Sequence, residues 1–154
     1  MKPVSSVTPP LGVNGIHYAN NNLYYTSTSH ELFVRLPVPS LTGTASGAPS
    51  VVASDFGNLD DFDLDNVANA YIATNASALT FVRPNGQVTT LAGGGSSTAV
   101  SGITGAKFGR TPSDRELLYM GTTGGSFQYL TGNFTSPGAI LKIDMGAAGY
   151  FDSV

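Results

Sequence analysis

The chain has 154 residues with no cysteine; 41% are hydrophobic, only 11% are charged, and the formal net charge is −3. That length allows one ordinary domain, and the lack of any cluster of Lys and Arg excludes a phosphate-binding surface for nucleic acid. No apolar stretch approaches the roughly 18 residues that a membrane-spanning helix needs, so we expect neither a nucleic-acid partner nor a membrane partner.

Taken in chain order, the predicted strands repeat three times. The tyrosines of the second strand in each repeat, Tyr24, Tyr71 and Tyr119, are spaced by 47 and 48 residues. The predicted strands, written by residue number, are 15–18, 23–28, 32–35 and 50–53; 61–64, 70–75, 79–83 and 87–91; then 105–108, 118–123, 140–143 and, as a candidate last strand, 149–151.

Four short strands in a period of about 40–50 residues are typical of a β-propeller blade, because a blade buries its faces only against neighbouring blades. The sequence therefore predicts an all-β fold with about three four-stranded blades of a six-bladed ring. The expected blade boundaries are 11–56, 57–97 and 98–154. Since three blades do not close a ring, we expect the remaining blades to come from another segment or from a second copy of the chain.

The third repeat contains an insertion of about ten residues between its second and third strands, and long insertions of this kind often carry binding groups. Phe127 and Tyr129 lie in this insertion. Two interpretations stay open: a surface loop, or an aromatic lid that binds a small-molecule substrate.

Polar side chains recur at two equivalent positions of the first strands in the repeats. The innermost strands of propeller blades line the central channel, where small-molecule sites are built. The first set consists of Asn14, Asp60 and Thr104, and the second set, three residues later, of His17, Asp63 and Lys107. The sequence predicts substrate contacts from these positions.

Each of these residues also has a structural interpretation. Asn14 precedes Gly15 and suits a turn that needs positive φ, and Asp60 with Asp61 suits a turn cap or a solvated site. His17 has no Ser or Cys partner at a recognisable spacing, which favours a packed or solvated histidine. Both interpretations remain open at this point.

Two segments resemble motifs of the SMP-30/gluconolactonase/LRE-like family of six-bladed β-propellers. Residues 13–16 (VNGI) and then 23–26 (LYYT) resemble an Asn-Gly motif and the strand after it, and residues 59–65 (LDDFDLD), running into 69–74, resemble a Pro-Asp-Gly segment and its strand. The match covers nearly the whole chain, in the order of the family's second half. Residues 60–62 and 108–114 are similar to a fungal branch of that family.

This resemblance implies a site and an activity. Asn14 and Asp60 would bind a divalent cation, Ca²⁺ or another, because carbonyl and carboxylate oxygens suit hard cations. Asp60 would also be the general base of a lactone hydrolase, while the metal polarises the lactone carbonyl. The sequence departs from the family pattern in having Asp61 where the family has Gly, and in lacking a counterpart of the family's metal-binding Glu.

Two alternatives to the hydrolase remain. The fungal branch also resembles hetero-Diels–Alderases of secondary metabolism, which would position apolar reactants in the channel without a metal. The last alternative is a non-catalytic binding propeller or a truncated product. Enzymatic activity is therefore expected, with its type, hydrolase or pericyclase, left open.

Cellular location is also left open by the sequence. Asn75 and Asn133 each begin a glycosylation sequon, which would suit a secreted glycoprotein. Residues 1–10 lack the apolar core of a signal peptide.

Overall fold

A computed structural model describes residues 11–125 and 137–150 of the chain. Within these two ranges the protein forms eleven β-strands and no α-helix. No helix in this part of the chain is long and apolar enough to cross a membrane.

The strands form three antiparallel sheets, and in each sheet the strands follow one another in chain order. The first sheet contains β1 (Val13–Ala19), β2 (Asn22–Ser27), β3 (Leu32–Pro37) and β4 (Ser50–Ser54); the second contains β5 (Leu59–Leu64), β6 (Ala70–Thr74), β7 (Ala78–Val82) and β8 (Val88–Gly93); the third contains β9 (Ile103–Phe108), β10 (Leu117–Thr122) and β11 (Ala139–Asp144). The prediction of an all-β fold built as part of a β-propeller is confirmed. In the candidate strand at 149–151, Gly149 and Tyr150 lie outside any strand, and Phe151 lies outside the described residues.

The hairpin turns explain why these segments pair in register. Asn20 and Asn21 link β1 to β2 with φ values of 50° and 59°, a left-handed pair that matches the twist of a tight hairpin. Asn85-Gly86 lies in the turn between β7 and β8, where Gly86 has a φ of 87°. Asn and Gly suit both turns because they tolerate positive φ better than other residues.

Each sheet buries a face against the next sheet along the chain. The core between the first and second sheets contains Tyr24, Phe33 and Ala53 from one side and Leu59, Phe62, Ala70, Ile72 and Val82 from the other. The core between the second and third sheets contains Tyr71, Ala73, Leu79 and Phe81 from one side and Val100, Ile103, Ala106, Leu118, Met120 and Met145 from the other. The second sheet is covered on both faces, so all residues of β6 and β7 are buried.

The first strand of every sheet carries a β-bulge at the same repeat position. In β1 the pairing shifts between Val13 and Ile16, in β5 between Leu59 and Phe62, and in β9 between Ile103 and Gly105. Each shift places one extra residue on the first strand, and such bulges redirect side chains at the rims of sheets and beside binding sites. The bulge thus marks the segment that carries the first set of polar residues.

Candidate functional site

Asn14 and Asp60 meet at the bulges of adjacent sheets. The Asn14 side chain hydrogen-bonds to the Asp60 carboxylate, and its Nδ2 donates to Thr28 Oγ1 at 3.2 Å. Thr26 Oγ1 donates to the Asp60 carbonyl at 2.9 Å and accepts a bond from Gly15 N at 2.8 Å. The two bulges are therefore fixed to each other by the hydroxyl groups of Thr26 in β2 and of Thr28 just after it, which donates to the Leu59 carbonyl at 2.7 Å.

The Asp60 carboxyl is half-buried beside these groups. Burial raises its pKa above the usual value, and hydrogen bonds from the Asp61 amide and from Asn14 oppose that rise. The neighbouring charge of Asp61 raises the pKa further. A carboxyl with a raised pKa is a candidate proton acceptor at a functional site, although buried structural carboxyls have the same property.

Thr104 is the third member of this set. In the part of the chain that the structure describes, no hydrogen bond joins it to Asn14 or Asp60. It lines a shallow depression of about 380 Å³ together with Gly121 and Ile140 on the third sheet. The bulge in β9 is present, and Thr104 within it is exposed.

The second set converges where three sheets meet. Lys107 Nζ from β9 is hydrogen-bonded to His17 Nε2 from β1, although the first and third sheets are not neighbours. His17 Nδ1 lies 3.4 Å from Asp63 Oδ1, and Asp63 Oδ2 accepts a hydrogen bond from the Phe108 amide at 2.9 Å. The three residues that the sequence places at one repeat position are thus in one cluster.

Asp61 is the member of this cluster that sequence reasoning missed. Its Oδ1 lies 3.6 Å from His17 Nε2, and its Oδ2 lies 3.4 Å from Lys107 Nζ. Lys107 also donates to the Phe62 carbonyl at 2.7 Å, so the three protons of its ammonium group have three acceptors.

The signal that could have identified Asp61 is a pattern across the repeats. The positions equivalent to Asp61 in the first and third sheets are Gly15 and Gly105. A Cβ added at Gly15 would lie 2.6 Å from Asp61 Oδ1, and one at Gly105 would lie 3.4 Å from Asp61 Cβ. The two glycines leave room for one carboxylate between neighbouring strands.

The surroundings favour a neutral His17. Burial lowers its pKa below 6.5, and the positive charge of Lys107 lowers it further, against the opposing effect of the two carboxylates. A neutral ring with its proton on Nδ1 faces Asp63 with a donor and Lys107 with an acceptor. With His17 neutral, the cluster of Lys107, Asp61 and Asp63 carries one net negative charge.

A polar groove of about 250 Å³ borders this cluster. The polar residues that line it are His17, Asp63, Asn20, Asp65 and Asn66. His17, Asp63 and Lys107 lie three residues further along their strands than Asn14, Asp60 and Thr104, a rise of about 10 Å. Asp61 directly follows Asp60 and also contacts His17 and Lys107, so it joins the two groups of polar side chains on the inner strands.

Other predicted residues fall elsewhere. Phe127, Tyr129 and Asn133 lie outside the described residues. Asn75 is exposed in the turn between β6 and β7, where its Oδ1 accepts a hydrogen bond from the Asn58 amide.

The side-chain oxygens of Asn14 and Asp60 at the bulges are too few to complete a calcium site. Asn14 and Asp60 offer oxygen ligands, but Ca²⁺ takes six to eight of them. Residues 11–125 and 137–150 contain no group of three or more His, Cys, Asp or Glu side chains arranged to hold a metal. Asn14 and Asp60 therefore fit a calcium site only as part of a larger set of oxygen ligands.

Comparison with known proteins gives a relative in sequence and several solved structures with the same fold. No family model matches the chain. The chain is 27% identical over 143 residues to a Phoma sp. protein described as "Putative hetero-Diels-Alderase", an alignment that covers 90% of this chain and 38% of that protein.

Two solved structures share the fold. A luciferin-regenerating enzyme is 12% identical with a TM-score of 0.61, and 85% of this chain covers 44% of it. Regucalcin, a calcium-binding protein from Agrobacterium tumefaciens, is 17% identical with a TM-score of 0.64, and 86% of this chain covers 45% of it. The chain thus spans less than half the length of each relative, and it shares with the two solved structures an arc of the same β-propeller.

Proposed function

We propose that this chain is part of a β-propeller enzyme that binds a small molecule at the inner strands and promotes a ring-forming reaction of the hetero-Diels–Alder class. The observation that carries the proposal is the convergence of His17, Asp61 and Lys107 from three sheets on one point of the inner edge. This polar cluster borders a polar groove, which suits the binding of a polar heteroatom of a small molecule.

The alignment with the Phoma relative supports the choice of reaction, because it spans 90% of this chain. In a hetero-Diels–Alder addition, three π bonds become one π bond and two σ bonds, and no atom is gained or lost. Such a reaction needs neither a base nor a metal ion. Holding a heterodiene and an alkene together in one orientation is sufficient to accelerate it.

Within this proposal the described residues have positioning roles. Lys107 is already matched to three acceptors, so it fixes the inner strands rather than offering a free proton. Asp61 and Asp63 remain partly exposed and can accept a hydrogen bond from a hydroxyl group of the bound molecule.

A second candidate is a metal-dependent lactone hydrolase. The contact between Asn14 and Asp60, with the raised pKa of Asp60, favours it. The regucalcin structure with the same fold is described as a calcium-binding protein. This candidate requires further oxygen ligands from outside the described residues, since two ligands hold Ca²⁺ poorly.

Chelation separates the two candidates. The purified native protein would be incubated with a heterodiene and an alkene, and in parallel with an aldonolactone and Ca²⁺, each with and without excess EDTA. We expect stereoselective cycloaddition that is unchanged by EDTA and by Asp60→Asn. Loss of cycloaddition in EDTA, or lactone hydrolysis that needs both Ca²⁺ and Asp60, would replace the first candidate with the second.

A further inference from the structure

The polar groove of about 250 Å³ lies between the turns that end the inner strands of the first two sheets. Asn20 belongs to the turn between β1 and β2, and Asp65 and Asn66 belong to the turn between β5 and β6. Asn14 and Asp60 lie near the beginnings of β1 and β5. The groove and the contact between Asn14 and Asp60 are therefore at opposite ends of the inner strands.

Asp65 fixes the shape of one wall of the groove. Its Oδ1 accepts hydrogen bonds from the amides of Val67 and Asn69 at 3.1 and 2.8 Å. Its Oδ2 accepts a hydrogen bond from Asn69 Nδ2 at 2.7 Å. The side chain is only 5% exposed, and these three hydrogen bonds hold its own turn together. Asp65 therefore supplies a rigid wall, which lowers the entropy cost of binding a ligand.

Asp63 is the carboxylate of the groove that keeps capacity for a further hydrogen bond. Its Oδ1 accepts a hydrogen bond from the Leu64 amide at 2.9 Å and lies 3.4 Å from His17 Nδ1. Its Oδ2 accepts one hydrogen bond, from the Phe108 amide at 2.9 Å. Each carboxylate oxygen has two lone pairs, so Oδ2 can accept a second proton donor. The side chain is 19% exposed, which lets a ligand reach it.

The two turns add amide groups beside this carboxylate. Asn20 Nδ2 lies 3.5 Å from the Asn66 backbone carbonyl, at the limit of a hydrogen bond. Asn66 is exposed, and no hydrogen bond joins its side chain to another residue in the described part of the chain. Because a side-chain amide both donates and accepts, these two residues can bind a second polar atom of a ligand.

The charges around the groove disfavour an anionic ligand. None of the residues that line it is Lys or Arg. The nearby Lys107 ammonium lies 3.4 Å from Asp61 Oδ2 and donates to the Phe62 carbonyl at 2.7 Å, so it is already paired. A carboxylate or phosphate in the groove would face Asp63 without a cation, which is unfavourable. A hydroxyl group donates to a carboxylate without this repulsion.

We propose that the groove binds a neutral hydroxyl group of the small-molecule substrate and that Asp63 is the residue that selects it. This assignment rests on the proposed function, because it names the part of that molecule that the inner strands bind. Asp63 Oδ2 accepts the hydroxyl proton, and the amides of Asn20 and Asn66 bind a neighbouring polar atom. Sites for whole drug-sized ligands measure about 300–1,000 Å³, so this smaller groove takes one polar end of the substrate.

Binding of three small aromatic probes to the native protein tests the proposal without an assay of cycloaddition. Resorcinol, 1,3-dimethoxybenzene and benzoate would each be titrated and followed by ligand-observed NMR. We expect a Kd of about 1 mM for resorcinol and binding at least about tenfold weaker for the others, since one lacks a hydroxyl proton and the other is anionic. Equal affinity for all three probes, or no binding of resorcinol, overturns the proposal.

Asp63→Asn tests which residue selects the hydroxyl group. The variant keeps the size of the side chain but removes the charged acceptor, so we expect resorcinol to bind at least about tenfold more weakly. Asp144→Asn is the matched control, since Asp144 is an exposed carboxylate at the end of β11 on the third sheet. Equal affinities of the two variants for resorcinol overturn the role of Asp63.

Asn66→Ala tests the groove in a variant that leaves the cluster of His17, Asp61, Asp63 and Lys107 unchanged. Because Asn66 is exposed in a turn, we expect the urea midpoint to stay at the parent value and the affinity for resorcinol to fall about fivefold. Unchanged affinity in this variant overturns the position of the ligand in the groove.

The outcomes separate this proposal from the proposed reaction. Hydroxyl-selective binding that depends on Asp63, in a protein without cycloaddition activity, supports the groove and overturns the reaction. Cycloaddition by a protein that binds all three probes equally overturns the groove and leaves the reaction in place.

Discussion

The first and second sheets carry apolar side chains at the same repeat positions, but their surroundings differ. Phe62 on β5 is fully buried between two sheets, whereas Ile16 at the equivalent position of β1 is more than half exposed. The side chain types are alike, so the difference comes from the neighbour that each strand has. In a repeat fold the buried fraction of a side chain depends more on which sheets lie beside it than on the residue type.

Truncating a side chain at the centre of the arc is expected to have the largest effect. Phe62 contacts Phe33 and His17, and Phe62→Ala would leave a cavity between the first and second sheets. We expect a loss of about 3–5 kcal/mol in the free energy of unfolding, measured by urea denaturation. The control Leu41→Ala changes a fully exposed side chain and should stay within about 0.5 kcal/mol of the parent. Similar losses for both variants would contradict the buried contact between these sheets.

The sequence is sufficient to predict the sheets because its period is long. The tyrosine spacing and the four short strand-like segments in each period identify the strands without reference to packing. The convergence of His17, Asp63 and Lys107 followed from the same alignment of repeats. Their role in substrate binding stays a prediction, as do the blade boundaries, the fungal branch and the assignment to the second half of the family.

Other parts of the site depend on geometry that a single sequence does not reveal. Thr104 matches Asn14 and Asp60 in the alignment, but contact depends on which neighbour each bulge faces. In the sequence Asp61 is visible only as a departure from a family motif. Its space in the structure is created by Gly15 and Gly105, which are 46 and 44 residues away on other strands. Such space is visible only when three sheets are placed together.

The two glycines that flank Asp61 offer a smaller and more specific test of the inner edge. Gly15→Ala places a methyl group 2.6 Å from Asp61 Oδ1 and 2.9 Å from its Cα, so we expect a loss of about 1–3 kcal/mol in unfolding free energy. Gly105→Ala is the matched control, because the added methyl group would lie 3.4 Å from its nearest neighbour, Asp61 Cβ, which is an ordinary van der Waals distance.

Combining Gly15→Ala with Asp61→Gly should recover part of the loss, since the carboxylate is then gone. Equal losses at Gly15 and Gly105, without recovery in the double variant, would contradict the close approach of β1 and β5.

The central claim is that the inner strands of three sheets converge on one cluster, and a double-mutant cycle between His17 and Lys107 tests it most directly. These residues belong to sheets that are not neighbours, so coupling between them requires that convergence. We predict a coupling energy of about 0.5–1 kcal/mol from urea unfolding of His17→Ala, Lys107→Ala and the double variant at fixed protein concentration. The same cycle with Leu41→Ala in place of His17→Ala should be additive, because the Leu41 side chain is 99% exposed. Additivity in both cycles would contradict the account.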